Sequence, residues 1–383
     1  MVNQNNSSNI DVIFETFTKG IFFNPHKEDG LEFIPKNESN IRFKLKPVDP
    51  NEDASGLSRG LLCQLITNYS VTNEQFEFID AYNNSSKMLR LAEGYSLPFK
   101  YNEKTLIDEN GIFAKGYHPK RYLCPHDICE LIQNIEKELI IKSDHFLKIL
   151  RWRQGFDGPA NIIETQNLYW KTGDSGYPLA PSSGGPGTIY RSSTPQGIQW
   201  NDEDDNDLQE LYSIDNASEP LSHTLLREGI SLSDESPKSA ILIIFAALET
   251  AVKMHISFMA PDTSWLLEKT PSPPIFKLLR DYIPLIHESR GETIAYWDKV
   301  KPSFKNVSKL VELRNKVAHT GQIPDGFESV QTYIVLVSDM LYMLDVLAGH
   351  QWAKSHISHE LRKSLGWPAL KYIRLSTTIS EPY

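Results

Sequence analysis

Residues 327–348 place the tightest demand on the fold. Phe327, Val330, Ile334, Val337, Leu341, Leu344 and Ala348 recur at spacings of three and four, the period of one helix face. Tyr333, Leu336, Met340, Met343 and Leu347 add a second ridge. A surface this wide must be covered on two sides. The segment therefore predicts a central helix packed against its own domain and, along the outer ridge, against a second copy of the chain.

Other helical signals surround it. Pro237 suits a first helical position, and Ile241, Ile244, Phe245, Leu248 and Val252 carry the same period onward. Pro271 to Pro274 form a break, followed by a short helix over 275–286. Residues 306–320 read as an amphipathic helix with Val307, Leu310, Val311, Val317 and Ala318 as its apolar positions. Arg314 is the next member of that stripe, so an always-charged guanidinium sits where a core residue is expected. Leaving it unpaired there would cost several kcal/mol. A carboxylate, a partner chain or an anionic substrate must compensate. Gly321 reads as the helix stop. His319 thus falls in the last turn, at the negative end of the helix dipole, and shares a face with Asn315, whose amide could orient the ring.

The first half reads differently. The first hundred residues are strand-rich: Ile41 to Leu45 alternates cleanly, and Val12 to Phe23 is dense in Ile, Phe, Val and Thr. Turn signals recur at Asn24-Pro25, Asp29-Gly30, Asp49-Pro50 and Asn110-Gly111. Asp127 and Glu130 match a capping box ahead of a stripe of Ile128, Leu131, Ile132, Ile135 and Leu139, and a second helical segment covers 146–152. A Gly/Ser/Pro-rich stretch, 173–197, reads as loop with short strands around Thr188 to Tyr190. Residues 201–219 hold eight Asp/Glu and no Lys or Arg, which reads as a solvated linker. The expected class is α+β followed by an all-α bundle. An α+β sensor- or recognition-like region spans 1–200, an acidic linker 201–235, an all-α domain 236–372 and a tail 373–383.

Charge follows the same division. The chain carries a net charge of −10 over 383 residues, which argues against a broad nucleic-acid-coating surface. Residues 236–372 hold 16 Lys/Arg against 13 Asp/Glu, and the remainder 23 against 36. A short contact with an anionic polymer near Arg314 is compatible with this balance; a long electrostatic track is not. Three cysteines, Cys63, Cys124 and Cys129, are too few and too odd for a disulfide framework and imply a reducing cytoplasm. No segment approaches ~18 uninterrupted apolar residues, and the N-terminus lacks a signal-peptide apolar stretch, so no membrane association is expected.

The hexapeptide Arg314-Asn315-Lys316-Val317-Ala318-His319 resembles the Arg-x4-6-His signature of the HEPN superfamily, including the polar residue that often follows the arginine. The likeness covers roughly residues 236–363; the first 235 resemble no known family. It implies a HEPN-like helical domain acting as a homodimer and a metal-independent endoribonuclease. Two motif copies would meet across the dimer, with Arg314 and His319 catalytic and without metal or cofactor. The implied setting is a bacterial toxin or anti-phage defence effector cleaving RNA through 2′-OH attack. The N-terminal region would regulate it by binding a trigger or inhibitor. Glu249, flanking the stripe of its helix, could hold Arg314 as counter-ion, or pair with Lys253 at i+4. The alternative is a non-catalytic dimerisation or nucleotide/RNA-binding protein in which Arg314 serves only structure.

Other chemistry is poorly supported. His118, Cys124, His126 and Cys129 are the nearest approach to a zinc set, but their spacing is unlike paired knuckles. His350, His356 and His359 read as surface residues near a helix end. Gly184 to Gly187 lacks the Lys-Ser/Thr of a phosphate loop, and no Gly-x-Ser-x-Gly elbow occurs.

Overall fold

The computed structural model describes residues 7–19, 21–23, 31–48, 60–84, 89–114, 117–155, 163, 165–173, 176–181, 196–198, 202–214, 218–269, 273–292, 294, 296–324, 327 and 329–368. The turn pairs at 24–25, 29–30 and 49–50, the expected strands at 188–190, the 184–187 glycines and the tail lie outside these residues. The chain divides into two compact units, Met1–Leu147 with Asn161–Asp215, and Lys148–Ala160 with Asn216–Tyr383.

The first unit is built on an antiparallel sheet. Its strands are β1 (Ser7–Lys19), β3 (Leu31–Phe33), β4 (Arg42–Val48), β5 (Gly60–Thr72) and β8 (Thr165–Lys171), in the order β3-β4-β5-β1-β8. Two small pairs accompany it, β2 (Ile21–Phe23) with β9 (Gln196–Ile198) and β6 (Phe99–Tyr101) with β7 (Lys104–Ile107). β1 pairs with β5 from Ser7↔Thr72 to Lys19↔Gly60. The period of two puts Val12, Phe14, Phe43, Leu45, Leu65 and Trp170 among the buried residues. Two-residue alternation at Ile41 to Leu45 is thus a half-buried strand, as its pattern predicts.

Helices close this unit. α1 (Asn73–Asn83) opens with a capping box in which Thr72 accepts from the Gln75 N–H and Gln75 reaches back to the Thr72 N–H. Its Tyr82 meets Trp170 edge-on at 5.8 Å. α2 (His126–Gln154) is one helix of 29 residues, not two segments. Asp127 does not cap it: its carboxylate accepts from Arg90 at 3.1 and 3.2 Å, and Glu130 pairs with His126. Phe146 of α2 stacks on Phe43 at 4.1 Å.

The acidic stretch is not a linker. Asp202–Ser213 is a helix, α3, with Leu208, Leu211 and Tyr212 buried. Tyr212 packs edge-on against Phe33 and Phe43, both at 5.8 Å. Glu203 and Glu210 are exposed while Asp204 is buried, and the apolar stripe makes the helix part of the first unit. Leu221–Ser231 forms α4, which packs on α5 (Pro237–Met259) in the second unit. The second unit thus starts near residue 216 and includes 148–160, ahead of the expected boundary at 236.

The second unit is helical. After α5 come the short helices α6 (Ser264–Lys269), α7 (Ile275–Lys277), α8 (Ile283–Ser289) and α9 (Trp297–Val300), then α10 (Phe304–Thr320), α11 (Val330–Leu347) and α12 (His359–Leu365). Its core joins Ile241, Ile244, Leu248 and Val252 of α5 to Val307 and Leu310 of α10 and to Val337, Met340, Leu341 and Met343 of α11. α5 and α11 are the two described helices long and apolar enough to cross a membrane; at least half of each such window is buried inside the fold.

The two ridges of α11 find cover within the chain. Leu336, Met340 and Met343 on the outer ridge are buried, with α4, α5 and the turn Gln351–His356 packed around the helix. The ridge is core, so it offers no face to a second copy. A charge at Leu336 or Met343 would unfold the unit rather than split a dimer.

Buried titratable groups of this unit give its stability an unusual pH dependence. Burial, reinforced by the facing His287, pushes His255 down to about 4, while Asp345 and Glu292 pull the other way. His255 Nε2 lies 3.1 Å from His287 Nε2, and His287 Nδ1 lies 2.6 Å from Glu292. Burial raises Asp339 to about 6 against the Ser358 hydroxyl and N–H, with Glu360 adding to the rise. Between pH 6.5 and 4 the unfolded chain takes a proton at His255 that the folded one refuses, which destabilises by up to about 3 kcal/mol. Between pH 6 and 4 the folded chain holds a proton on Asp339 that the unfolded one has lost, which stabilises by a similar amount. The effects oppose each other. Urea unfolding of Asp339→Asn should show stability falling steeply from pH 6.5 to 4, and of His255→Gln rising over pH 6 to 4. Parallel curves for the two variants would refute the assignment.

Candidate functional site

α10 owes its pitch to Phe304, Val307, Leu310, Leu313 and Val317, all buried. Leu313 takes the core position, and Ala318 is exposed and Val311 half-buried, so the stripe is narrower than the sequence suggests. The helix ends at Gly321, whose φ of 66° is left-handed and whose N–H donates to the Val317 carbonyl at 2.9 Å. Thr320 donates to the Lys316 carbonyl at 2.7 Å and accepts from the Gln322 N–H at 3.2 Å. The last turn is therefore fixed on both sides of the stop.

Arg314 is half-buried. Its guanidinium carbon lies 5.0 Å from the centre of the Phe245 ring, and Nη1 donates to Asn315 Oδ1 at 3.0 Å. No carboxylate pairs with it among the described residues. An aromatic face and an amide thus replace the expected buried counter-ion. The long apolar stem packs while the head stays near solvent, so the placement on the stripe is tolerated without burying an ion pair.

The supporting residues are redistributed. Glu249 pairs with Lys253 at 2.8 Å, the i+4 alternative, and does not hold Arg314. Asn315 serves Arg314 rather than His319. His319 is exposed in the last turn. Arg314 and His319 are roughly 140° apart around the helix, so one chain's pair does not converge. The solvent face of α10 also carries Lys305, Lys309 and Lys316, exposed and without ion pairs among the described residues.

No family model matches this chain. No curated protein and no solved structure matches it either.

Elsewhere, two buried carboxylates are committed to the fold. Glu219, fully buried, receives Arg151 Nε at 2.8 Å and Arg227 Nε at 2.6 Å. Burial alone would raise its carboxyl; the guanidiniums of Arg227 and Arg151 outweigh that and hold it below the usual range. Asp345 accepts from Trp152 Nε1 at 3.0 Å and faces His223 Nε2 at 2.9 Å. Glu219 and Asp345 stand outside every motif, and only the long-range packing finds them. His350 meets the Trp152 ring at 4.9 Å, and His356 Nε2 lies 2.8 Å from the Arg153 carbonyl.

Metal and thiol chemistry find no site among the described residues. No group of three His, Cys, Asp or Glu is placed to hold a metal ion there. His118 is exposed, and Cys129 donates to the Arg121 carbonyl at 3.2 Å. Burial pushes the Cys63 and Cys124 thiols up to about 12 and raises Cys129 as well, away from the reactive thiolate.

Proposed function

We propose that this protein is a HEPN-type, metal-independent endoribonuclease, a toxin or anti-phage effector that acts in the cytoplasm. The observation that carries the reading is Arg314: a guanidinium fixed by a ring and an amide, at a helix end that also bears His319. No carboxylate neutralises it among the described residues, so its charge is available to phosphate.

The chemistry follows from the side chains. An imidazole can take the proton of the RNA 2′-OH or protonate the leaving 5′-oxygen. A guanidinium offers paired donors to the phosphate oxygens of the charged transition state. The product is a 2′,3′-cyclic phosphate, and DNA is inert for want of the 2′-OH. Because one chain's pair diverges, activity is assigned to a homodimer in which two Arg314/His319 pairs face one another. The first unit is assigned the regulatory role, binding a trigger or inhibitor. Three free thiols fit a reducing compartment.

The test is incubation with RNA in excess chelator. Cleavage leaving cyclic phosphate ends supports the reading; RNA bound but not cut supports the binding protein instead; cleavage that needs added metal overturns the mechanism. Binding gives a second expectation. Single-stranded RNA held by Lys305, Lys309 and Lys316 on the solvent face should show a slope of log K on log salt of about −2, from ~0.7 per contact. Lys316→Gln should make that slope shallower by about 0.7, measured by anisotropy on a His319→Ala background. A slope near zero would remove the lysine face from the contact.

A further inference from the structure

The core face of α5 is aliphatic apart from Phe245 and, towards its C-terminal end, His255 and Met259. Ala240, Ile241, Ile244, Ala247, Leu248, Ala251, Val252 and Ile256 are buried there, and Phe245 is the single phenylalanine among them. That ring is the one beneath the Arg314 guanidinium. Several arginines of the chain are held by carboxylates, Arg151 and Arg227 by Glu219 and Arg42 by Glu32; Arg280 has both a carboxylate, Asp281, and a ring, Phe276, and Arg153 lies over Trp352. A carboxylate would fix Arg314 equally well, but it would cancel the charge and compete with any incoming anion. A ring face and an amide oxygen restrict the side chain while leaving its full charge and most of its five N–H donors unspent. Restricting a rotamer-rich side chain beforehand removes an ordering cost from the step that uses it.

The geometry points to Phe245 as a positioning residue for Arg314, a shelf that presents the guanidinium to a phosphodiester. The consequence for catalysis rests on the ribonuclease reading; the shelf itself does not. Phe245 is almost fully buried, touches no substrate, and acts through Arg314 alone.

Three variants of the full chain test this: Phe245→Leu, Phe245→Met and Phe245→Tyr. Leu and Met keep the apolar bulk, and Met guards against a Leu variant that fails to fold. Tyr keeps the ring. The first readout is independent of activity. The Arg314 Nε–Hε resonance, assigned by its loss in Arg314→Lys, should carry an upfield ring-current shift in the parent and the Tyr variant and lose it with Leu or Met. Its response to inorganic phosphate should weaken at least several-fold with Leu or Met. The second readout is RNA cleavage: kcat should fall about 10- to 100-fold with Leu or Met while the melting midpoint falls by only a few degrees, with KM moving less, and Tyr should retain activity within a few-fold. A parent that never cleaves RNA sinks the ribonuclease reading, and the shelf is then judged on the resonance and its phosphate titration. A Leu or Met variant with parent-like phosphate response overturns the shelf, as does parent-like cleavage in an active protein.

Discussion

Glu219→Ala is expected to unfold the second unit or bring it close to unfolding. The carboxylate is wholly buried between Arg151 and Arg227, and truncating it leaves two guanidiniums in the interior without their shared anion. Removing one partner of a buried ion pair costs about 3–5 kcal/mol. In a unit of this size that corresponds to a fall in melting midpoint of roughly 10 °C or more. Glu219→Gln keeps an acceptor and the shape but not the charge, so it should fall between parent and Ala. Calorimetry of the full chain, with the two units followed separately, is the measurement. A midpoint within a degree or two of the parent for Glu219→Ala would mean that the triad is solvated and contributes little.

That triad marks the limit of what the sequence discloses. Periodicity is local, and it located α5, α10 and α11 because each carries its own apolar stripe. Arg314 was legible for the same reason: a charge on a stripe announces a special environment. The environment itself was not legible. Whether Glu249, a ring or a partner chain would answer the guanidinium depends on the rotation of α5 against α10, which no spacing rule encodes. The eight acidic residues over 201–219 misled in the opposite direction. Composition weighs charge, but Leu208, Leu211 and Tyr212 on one side of α3 decide its packing. The breadth of α11 was read correctly as two-sided burial. Its second side is covered by α4 and the turn after α11, elements too short for their own patterns to be assigned as partners. Any dimer face must therefore lie elsewhere, and the ribonuclease proposal places it at the exposed end of α10.

His319→Ala is expected to lower RNA cleavage by about 10²- to 10⁴-fold, the usual contribution of a positioned acid–base group, with an unchanged melting midpoint. His319 is exposed in the last helical turn, so truncation removes no core contact. Arg314→Ala should lose activity at least as severely. Its effect on stability should be small, about 1 kcal/mol or less, since it forfeits one ring contact and some stem packing rather than a buried ion pair. Arg314→Lys should not rescue cleavage, because an ammonium cannot reproduce the forked contact to phosphate. The decisive measurement mixes the two dead proteins. If two α10 ends share one cleft, an Arg314→Ala subunit still supplies His319 and a His319→Ala subunit still supplies Arg314. Co-folded heterodimers should then recover cleavage well above either homodimer, with light scattering reporting the dimer in the same sample. A site confined to one chain predicts no recovery at any mixing ratio. A parent that is monomeric and fully active would break the argument at its root, because the roughly 140° between the two side chains leaves a single helix end unable to place both on one phosphate.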